Sequence, residues 1–434
     1  MHPQATKIIE QAPGRTAPDP TGVDRSRSGS TTRPQRHLPL IALVVCGAFG
    51  VYGWAIFVAS FAHDGTIGPR YNAPGADFMA FYAAARAYLE GHLPLLFDGG
   101  RFTAHLNGMF AERLSAPLPF QPWMYPPPYL LFLLPCALLP FGWAYAAFLT
   151  GTFAGLGAAV ASAVPPCRGR AMHLLSLLLC PAASAVAVAG QNGYLSAALL
   201  IGGFGLLDGA PVAGGMLFGA LTFKPQIGLM VPVALVAARR WRALASAAAT
   251  AVFLAAVSAI VFGADMWARW FSLMFTPASE DFRQWAELSR PFGNSVSVCA
   301  LLLGAGDSAA TAVQLFAALV GAVAVWRAFR RPMASDGRMA VVLAAAILAA
   351  PSVAIYDMVA LAMAAGLLFS RGLREGFRPG EPVVLLALWL APLFNPPRVS
   401  PVGFLTPLLI CALIAYAFLG ADGSRRQPAT AYSG

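Results

Sequence analysis

Residues 38–61 read LPLIALVVCGAFGVYGWAIFVASF and contain no charged side chain. A helix that crosses a membrane needs about 20 predominantly apolar residues. The run is too long for the apolar core of a signal peptide, and no convincing cleavage site follows it. It therefore predicts a first transmembrane helix that carries the chain to the far side of the membrane.

The rest of the chain repeats this apolar character. Its 434 residues are 58% hydrophobic and 11% charged, whereas soluble domains carry about 25% charged residues. The apolar runs are continuous rather than alternating, so we predict an all-α, polytopic transmembrane bundle over residues 38–420 and not a barrel. Further apolar segments lie near residues 172–189, 193–208, 211–223, 226–238, 243–263, 308–327, 338–350, 353–370, 382–394 and 402–420.

With the first helix and one net crossing in residues 126–164, these segments predict about 12 spans, within a range of about 10 to 13. Segments 211–223 and 226–238 are shorter than a full span needs, which favours broken or re-entrant helices that line a cavity. The block at 126–164 is long enough for two helices, although the distribution of charge favours an odd number of crossings.

The formal charge of +10 comes mainly from arginines clustered between apolar segments. Such clusters fix the orientation of membrane proteins, so they do not indicate nucleic-acid binding. We expect the polar tails, residues 1–37 and 421–434, to be cytoplasmic and the first tail to be disordered. Enrichment in alanine and arginine hints at a GC-rich bacterial genome, and we expect a bacterial inner (plasma) membrane.

The sequence contains none of the common metal or nucleotide signatures. Its six cysteines are scattered, without a CxxC pair or a histidine at metal-ligand spacing. No Walker, GxGxxG, HExxH or triad-supported GxSxG motif occurs. We therefore predict neither a metal nor a bound cofactor.

Two long polar loops, residues 62–125 and 264–306, fall on the extracytoplasmic side of this topology. Long loops without regular structure are usually functional. In the first, an aromatic run predicts a helix from about Asp77 to Glu90 that ends at Gly91. Other unusual polar residues also fall on this side, which predicts one outward-facing cavity.

Asp77 is the first candidate for chemistry. Pro-Gly-Ala-Asp before a helical run is typical of a helix N-cap. A carboxylate at this place can also act as a general base that takes a proton from an attacking hydroxyl. No second carboxylate is close in sequence, so a glycosidase-type acid and base pair is not evident.

Lys224 is the second candidate, because it lies between the two short apolar segments. A lysine within a membrane is costly and indicates function, and its ammonium can hold a phosphate as a point charge. The alternative is a lysine that snorkels to the interface.

Further polar residues lie at the ends of apolar segments. Gln191 and Asn192 are either a tight interhelical turn or partners for sugar hydroxyls. Tyr356 and Asp357 lie within an apolar segment, so the carboxylate needs a partner, which we expect to be an arginine or a hydroxyl across the cavity. In the second loop, Arg283 and Arg290 are candidates for contact with a phosphate.

These motifs, in this order over residues 70–360, resemble glycosyltransferase family 87. That family consists of polyprenol-phosphate-mannose-dependent mannosyltransferase-like proteins with a GT-C fold. The matching stretches are Gly75-Ala76-Asp77-Phe78 with Tyr82, Tyr125-Pro126-Pro127-Pro128, Gly190-Gln191-Asn192-Gly193, Phe223-Lys224-Pro225-Gln226, and Pro351 with Tyr356-Asp357.

The resemblance implies transfer of a hexose, with inversion, from a polyprenyl phosphate to a hydroxyl of a glycolipid or glycan on the extracytoplasmic face. It implies that Asp77 is the base and that Lys224 helps to hold the donor phosphate. Relatives often have a histidine where this chain has Ser352. The residues expected to contact substrate are Tyr82, Tyr125, Gln191, Asn192, Gln226, Tyr356 and Asp357.

A transporter or flippase of a lipid-linked sugar is the alternative, since it also binds a sugar phosphate near broken helices. The large first loop favours the enzyme. An assembly protein is a third interpretation, but it leaves Lys224 and Asp357 unexplained.

Overall fold

The computed structural model describes residues 33–62, 74–165, 168–275, 280–395, 397 and 400–423. Within these ranges the chain is helical and contains no β-strand. Most of the N-terminal tail, residues 63–73 of the first loop and the end of the C-terminal tail lie outside the described residues.

The described chain forms nineteen α-helices. The first ten are α1 (Arg33–Ala62), α2 (Ala76–Leu89), α3 (Gly99–Met109), α4 (Pro128–Ala137), α5 (Phe141–Ala163), α6 (Arg168–Leu179), α7 (Pro181–Ala189), α8 (Gly193–Leu206), α9 (Pro211–Ala220) and α10 (Met230–Ala237). The others are α11 (Trp241–Phe262), α12 (Ala264–Phe275), α13 (Glu280–Ser289), α14 (Val296–Leu302), α15 (Asp307–Arg330), α16 (Ser335–Ala349), α17 (Val359–Glu375), α18 (Glu381–Phe394) and α19 (Thr406–Gly423).

Short 3-10 helices connect several of these elements. They are Leu93–Phe97, Leu221–Phe223, Arg290–Phe292, Ile355–Met358 and Pro401–Leu405. Two of them carry candidate residues: Lys224 directly follows one, and Asp357 lies inside another.

Five described helices are long and apolar enough to cross a membrane, and a bent pair makes up to six. They are Phe141–Ala163, Trp241–Phe262, Asp307–Arg330, Ile355–Glu375 and Pro401–Gly420, with the pair Gly169–Leu179 and Pro181–Ala189 bent by 50°. The bend falls where Pro181 opens α7, and proline cannot donate the backbone hydrogen bond that would continue α6. The protein is therefore a helical membrane protein, and the count of about 12 spans stays a prediction.

The helices separate into central and peripheral ones. In the segment Ile355–Glu375, 78% of the apolar window is buried inside the protein, whereas in Trp241–Phe262 the share is 6%. α16 is also buried along nearly all of its length. A helix that is apolar all round and exposed, such as α11, is suited to contact with lipid.

The helix predicted in the first loop is confirmed. α2 covers Ala76–Leu89, and the chain leaves the helix through Glu90 and Gly91, whose φ of +77° is left-handed. The His92 and Gly91 backbone N–H groups donate to Ala87 and Tyr88 carbonyls, at 2.7 and 3.0 Å. This Schellman-type ending stops the helix before the short Leu93–Phe97 turn.

The two short apolar segments around Lys224 are indeed interrupted helices. α9 has 10 residues and α10 has 8, so neither alone reaches the length of about 20 residues that a span needs. The block at 126–164 forms two helices, α4 and α5, separated by residues 138–140.

Candidate active site

The turn Gly190–Gly193, between α7 and α8, is held between two other predicted motifs. Gly190 ends α7 with φ +71°, and a Cβ there would lie 2.5 Å from Phe78 Cβ. A Cβ on Gly193 would lie 2.2 Å from the carbonyl oxygen of Tyr356. The absence of side chains at these glycines therefore lets the turn approach both the start of α2 and the segment 351–357.

A backbone hydrogen bond also holds the end of α7 against the start of α2, in the first loop. Gly75 N–H donates to the Val188 carbonyl at 2.8 Å. This bond joins the start of α2 to the end of α7. Asp77 is consequently held beside Gln191, although 114 positions separate them in the sequence.

Asp77 lies in the first turn of α2 but does not cap it, so the N-cap interpretation is wrong. The cap position is Gly75, in a left-handed conformation with no side-chain hydrogen bond to the helix. A carboxylate in the first turn still interacts favourably with the helix dipole. Its Oδ1 accepts a hydrogen bond from Gln121 Nε2 at 3.3 Å.

Gln191 connects Asp77 to the rest of the polar centre. Its Oε1 accepts hydrogen bonds from the Tyr125 hydroxyl at 3.3 Å and from Asn192 N–H at 3.0 Å. These two donors define the carbonyl end of the amide, so the NH₂ end is left for the Asp77 carboxylate.

Asn192 and Lys224 continue the hydrogen-bonded chain. Lys224 Nζ donates to Asn192 Oδ1 at 3.1 Å and forms an ion pair with Asp357. Asp357 Oδ2 in turn accepts from Ala354 N–H at 3.0 Å. The Lys224 ammonium also lies 5.1 Å from the centroid of the Tyr356 ring, which adds a cation–π attraction.

These contacts form one continuous network, which we call the polar relay: Asp77, Gln191, Asn192, Lys224 and Asp357. Lys224 and Asp357 have side chains only 5% and 3% exposed, so each charge requires the other. Asp357 does have a partner, but it is Lys224 and not the arginine or hydroxyl that we expected. The snorkelling interpretation of Lys224 is wrong, because its ammonium is buried.

The environment of Asp77 changes its acidity. Burial raises the pKa of the Asp77 carboxyl above its ordinary value. Hydrogen bonds from Gln191 and Gln121 and the positive charge of Lys224 offset part of that effect. A carboxylate with a raised pKa is a better proton acceptor than an ordinary aspartate.

Tyr82 and Gln226 have surroundings of their own. The Tyr82 hydroxyl donates to the Leu139 carbonyl at 2.9 Å, and its ring packs edge-on against Phe141 with centroids 5.5 Å apart. Gln226 is half-buried, two residues after Lys224. Their roles in binding substrate stay predictions.

The second long loop carries Arg283 and Arg290. Arg283 is exposed on α13 and pairs with Glu280 at 2.5 Å, while Arg290 is half-buried in a 3-10 turn. The loop is joined to the rest by Asn294 N–H, which donates to the Val353 carbonyl at 2.8 Å, next to the exposed Ser352. The phosphate role of both arginines stays a prediction.

The sequence alone did not indicate that Gln121, Trp123 and Tyr129 lie beside the polar relay. Gln121 donates to Asp77, and Trp123 and Tyr129 are buried beside Tyr125. In the sequence these residues are one amide and several aromatic side chains before an apolar segment, a pattern that is also typical of an ordinary membrane–water interface. Among the described residues, no group of three or more His, Cys, Asp and Glu side chains is placed to hold a metal ion.

The fold and the polar relay define a class: a helical membrane protein with charged and amide side chains buried at the junction of the first long loop and several broken helices. The sequence profile described as glycosyltransferase family 87 matches residues 123–355, more than half of the chain. The protein belongs to glycosyltransferase family 87 and is a membrane glycosyltransferase.

The matched region includes Gln191, Asn192 and Lys224 but begins after Asp77 and ends before Tyr356. Comparisons with curated proteins and with solved structures gave no match. Asp77 is therefore a candidate base because of its place in the polar relay.

Proposed function

We propose that the protein transfers a hexose, most simply mannose, from a polyprenyl phosphate to a hydroxyl of a glycolipid or glycan. The reaction takes place on the extracytoplasmic face of a bacterial plasma membrane and inverts the anomeric carbon. The observation that carries the proposal is the hydrogen-bonded link from a carboxylate of raised pKa, Asp77, to a buried ammonium, Lys224. The finer architecture that we propose is a GT-C bundle of about 12 spans with both termini cytoplasmic.

In the proposed reaction, Asp77 acts as the general base. The acceptor oxygen attacks the anomeric carbon while its proton passes to the Asp77 carboxylate. The bond between that carbon and the phosphate oxygen breaks, and polyprenyl phosphate leaves with the bonding electron pair. The amides of Gln121 and Gln191 hold the carboxylate in place during this step.

Lys224 supplies positive charge for the leaving phosphate. A lysine has three N–H donors, and Asn192 and Asp357 account for two of them. The third is suited to a phosphate oxygen. Because Asp357 neutralises the ammonium formally, we propose that Arg283 and Arg290 add the remaining charge when donor binds, and that no metal takes part.

The experiment uses purified protein in vesicles with polyprenyl-phosphate mannose and a panel of other lipid-linked hexoses. We expect transfer by the wild type and loss of transfer by Asp77→Asn, which keeps the shape of the side chain but not its basicity. Asp98→Asn is the matched control, because Asp98 lies in the same loop but is exposed and caps α3 by accepting from Arg101 N–H at 2.9 Å.

Near-normal transfer by Asp77→Asn would show that Asp77 is not the general base. Movement of a labelled donor across the bilayer, without transfer by the wild type, would instead support the transporter alternative.

A further inference from the structure

α12 opens the second long loop and has three faces that meet different surroundings. One face is buried against the rest of the protein and consists of Met266, Trp270 and Leu273. The second face is polar and exposed and consists of Asp265, Arg269 and Ser272. The third face is aromatic and consists of Trp267, Phe271 and Phe275. The members of each set are three or four positions apart, so they lie along one side of the helix.

The third face, which we call the aromatic stripe, is continuous and largely exposed. The ring centroids of Trp267 and Phe271 lie 5.8 Å apart, and those of Phe271 and Phe275 lie 5.9 Å apart. Phe271 is 50% exposed and Phe275 is 70% exposed. Large apolar side chains that adjoin one another on a surface indicate an interaction site, whereas scattered ones do not.

α12 begins where a membrane-spanning helix ends. Gly263, with φ +88°, is the single residue between α11 and α12. Only 6% of the apolar window of α11 is buried inside the protein, and Ile260 in its last turn is 82% exposed. Because lipid covers such a helix up to its end, α12 starts at the boundary between the apolar part of the bilayer and water.

A hydrogen bond shows that α12 turns across the end of α11 instead of continuing it. Trp267 Nε1 donates to Ser258 Oγ, in α11, at 3.1 Å. In one continuous helix these two residues would lie about 13.5 Å apart along the axis, which is too far for this contact. The turn at Gly263 therefore keeps the aromatic stripe level with the end of the span instead of carrying it away from the membrane.

We propose that the aromatic stripe of α12 docks into the interface of the bilayer that α11 crosses. Trp and other aromatic side chains favour this region, and an amphipathic helix buries its apolar face at the boundary between headgroups and acyl chains. Asp265 and Arg269 lie on a different side of α12 and remain in water. The lipid that covers α11 continues onto the aromatic stripe, so no further protein is needed to cover it.

The docked helix is joined to the candidate active site through its buried face. Trp270 Nε1 donates to the Met124 carbonyl at 3.2 Å. The next residue, Tyr125, donates its hydroxyl to Gln191 of the polar relay at 3.3 Å. α12 therefore connects the bilayer interface to the segment that leads into the polar relay.

Spin-label depth in a bilayer tests the proposal. The full chain, with its six native cysteines replaced by alanine, is reconstituted in vesicles of phosphatidylethanolamine and phosphatidylglycerol. A nitroxide is attached in Phe271→Cys or in Phe275→Cys, and its collisions with oxygen and with a water-soluble nickel chelate are measured. We expect both labels to lie about 5–10 Å below the lipid phosphates, accessible to oxygen and protected from nickel.

The polar face of the same helix supplies the matched controls. Ser272→Cys places the label one residue from Phe271 but on the exposed polar face, and Arg269→Cys places it on that face one turn earlier. We expect both control labels to be accessible to nickel. All four variants alter exposed side chains of one helix, so a difference in depth reports the face of the helix and not a change in folding.

Three results would each overturn the proposal. Nickel that reaches the Phe271→Cys and Phe275→Cys labels as freely as the Ser272→Cys label would show that the aromatic stripe faces water. Protection of the stripe labels from both reagents would show that protein covers them, and spin–spin broadening that disappears on dilution with unlabelled protein would identify a second copy. Control labels as deep as the stripe labels would show that α12 does not separate lipid from water.

The measurement needs no sugar transfer, so its outcome is independent of the proposed reaction. If Phe271→Cys does not reconstitute, Phe275→Cys carries the same test, because its side chain is the more exposed of the two.

Discussion

Lys224 and Asp357 form a buried ion pair across 133 positions of sequence, and this pair joins the short helices α9 and α10 to the start of α17. Both side chains are almost fully enclosed. An unpaired charge buried at such a place is very unfavourable. The Lys224 segment and the Asp357 segment are therefore held together, because separating them would leave both charges without a partner. The ion pair therefore fixes Asn192 and the polar relay that leads to Asp77.

The effects on stability of removing the two charges of this pair should not be additive. Lys224→Met and Asp357→Leu each leave an uncompensated buried charge, and we expect each to lower the free energy of unfolding by about 3–5 kcal/mol. The double variant should lose clearly less than the sum of the two. Unfolding in detergent, followed by circular dichroism, measures this, and strictly additive losses would argue against direct pairing.

Gly193 should not tolerate a side chain. A Cβ there would lie 2.2 Å from the Tyr356 carbonyl oxygen, so Gly193→Ala must push the turn away from segment 351–357. We expect loss of most transfer activity and a lower Tm. Gly155→Ala is the control, because Gly155 lies within α5 with no atom within 4 Å of an added Cβ. Wild-type activity in Gly193→Ala would contradict the close packing.

Transfer should depend on the ionisation of Asp77. A base must be deprotonated, so kcat/KM rises with pH through a midpoint above the ordinary pKa of aspartate, about 3.9. Gln121→Leu removes a hydrogen bond that favours the charged form, which should move this midpoint to higher pH. An unshifted pH profile in Gln121→Leu would show that Gln121 does not act on the reacting carboxylate.

The raised pKa of Asp77 should also make the folded protein less stable as the pH rises, whereas the same rise in pH increases activity. Between the unfolded and folded pKa values, the folded protein binds more protons, so stability falls as pH rises through this window. Asp77→Asn should remove that dependence while transfer is lost. Unfolding temperatures of the two proteins across the acidic range measure it, and parallel curves would contradict the raised pKa.

A second buried ion pair, Arg371 with Glu381 at 3.2 Å, should matter for folding rather than for catalysis. Arg371 also donates to the Ala417 and Tyr416 carbonyls, and so joins α17, α18 and α19. We expect Glu381→Gln to lower the Tm while the activity per folded molecule stays at the wild-type level. A lower kcat at unchanged Tm would indicate an unforeseen link to the active site.

The sequence predicted the class of protein well because membrane segments are specified locally. Long uncharged runs such as residues 141–163 can bury their backbone polar groups only as helices in lipid, whatever their neighbours are. The helix from Ala76 to Leu89 was also predictable, since its end at Gly91 is a local signal. The number of short segments that act as spans cannot be predicted from local sequence, because broken helices such as α9 and α10 are stable only where neighbouring helices cover them.

By itself, the sequence determined that Asp77, Gln191, Lys224 and Asp357 are polar residues in costly places, and this cost made them candidates. Only the tertiary structure decided that they are partners, because pairing depends on the approach of turns that lie far apart along the chain. The structure shows that Asp77 is not the helix cap but a carboxylate that accepts hydrogen bonds, and that Lys224 is the partner of Asp357. It also placed Trp123 and Tyr129 against Tyr125, which donates to Gln191 of the relay, because these contacts depend on the packing of elements that are distant along the chain.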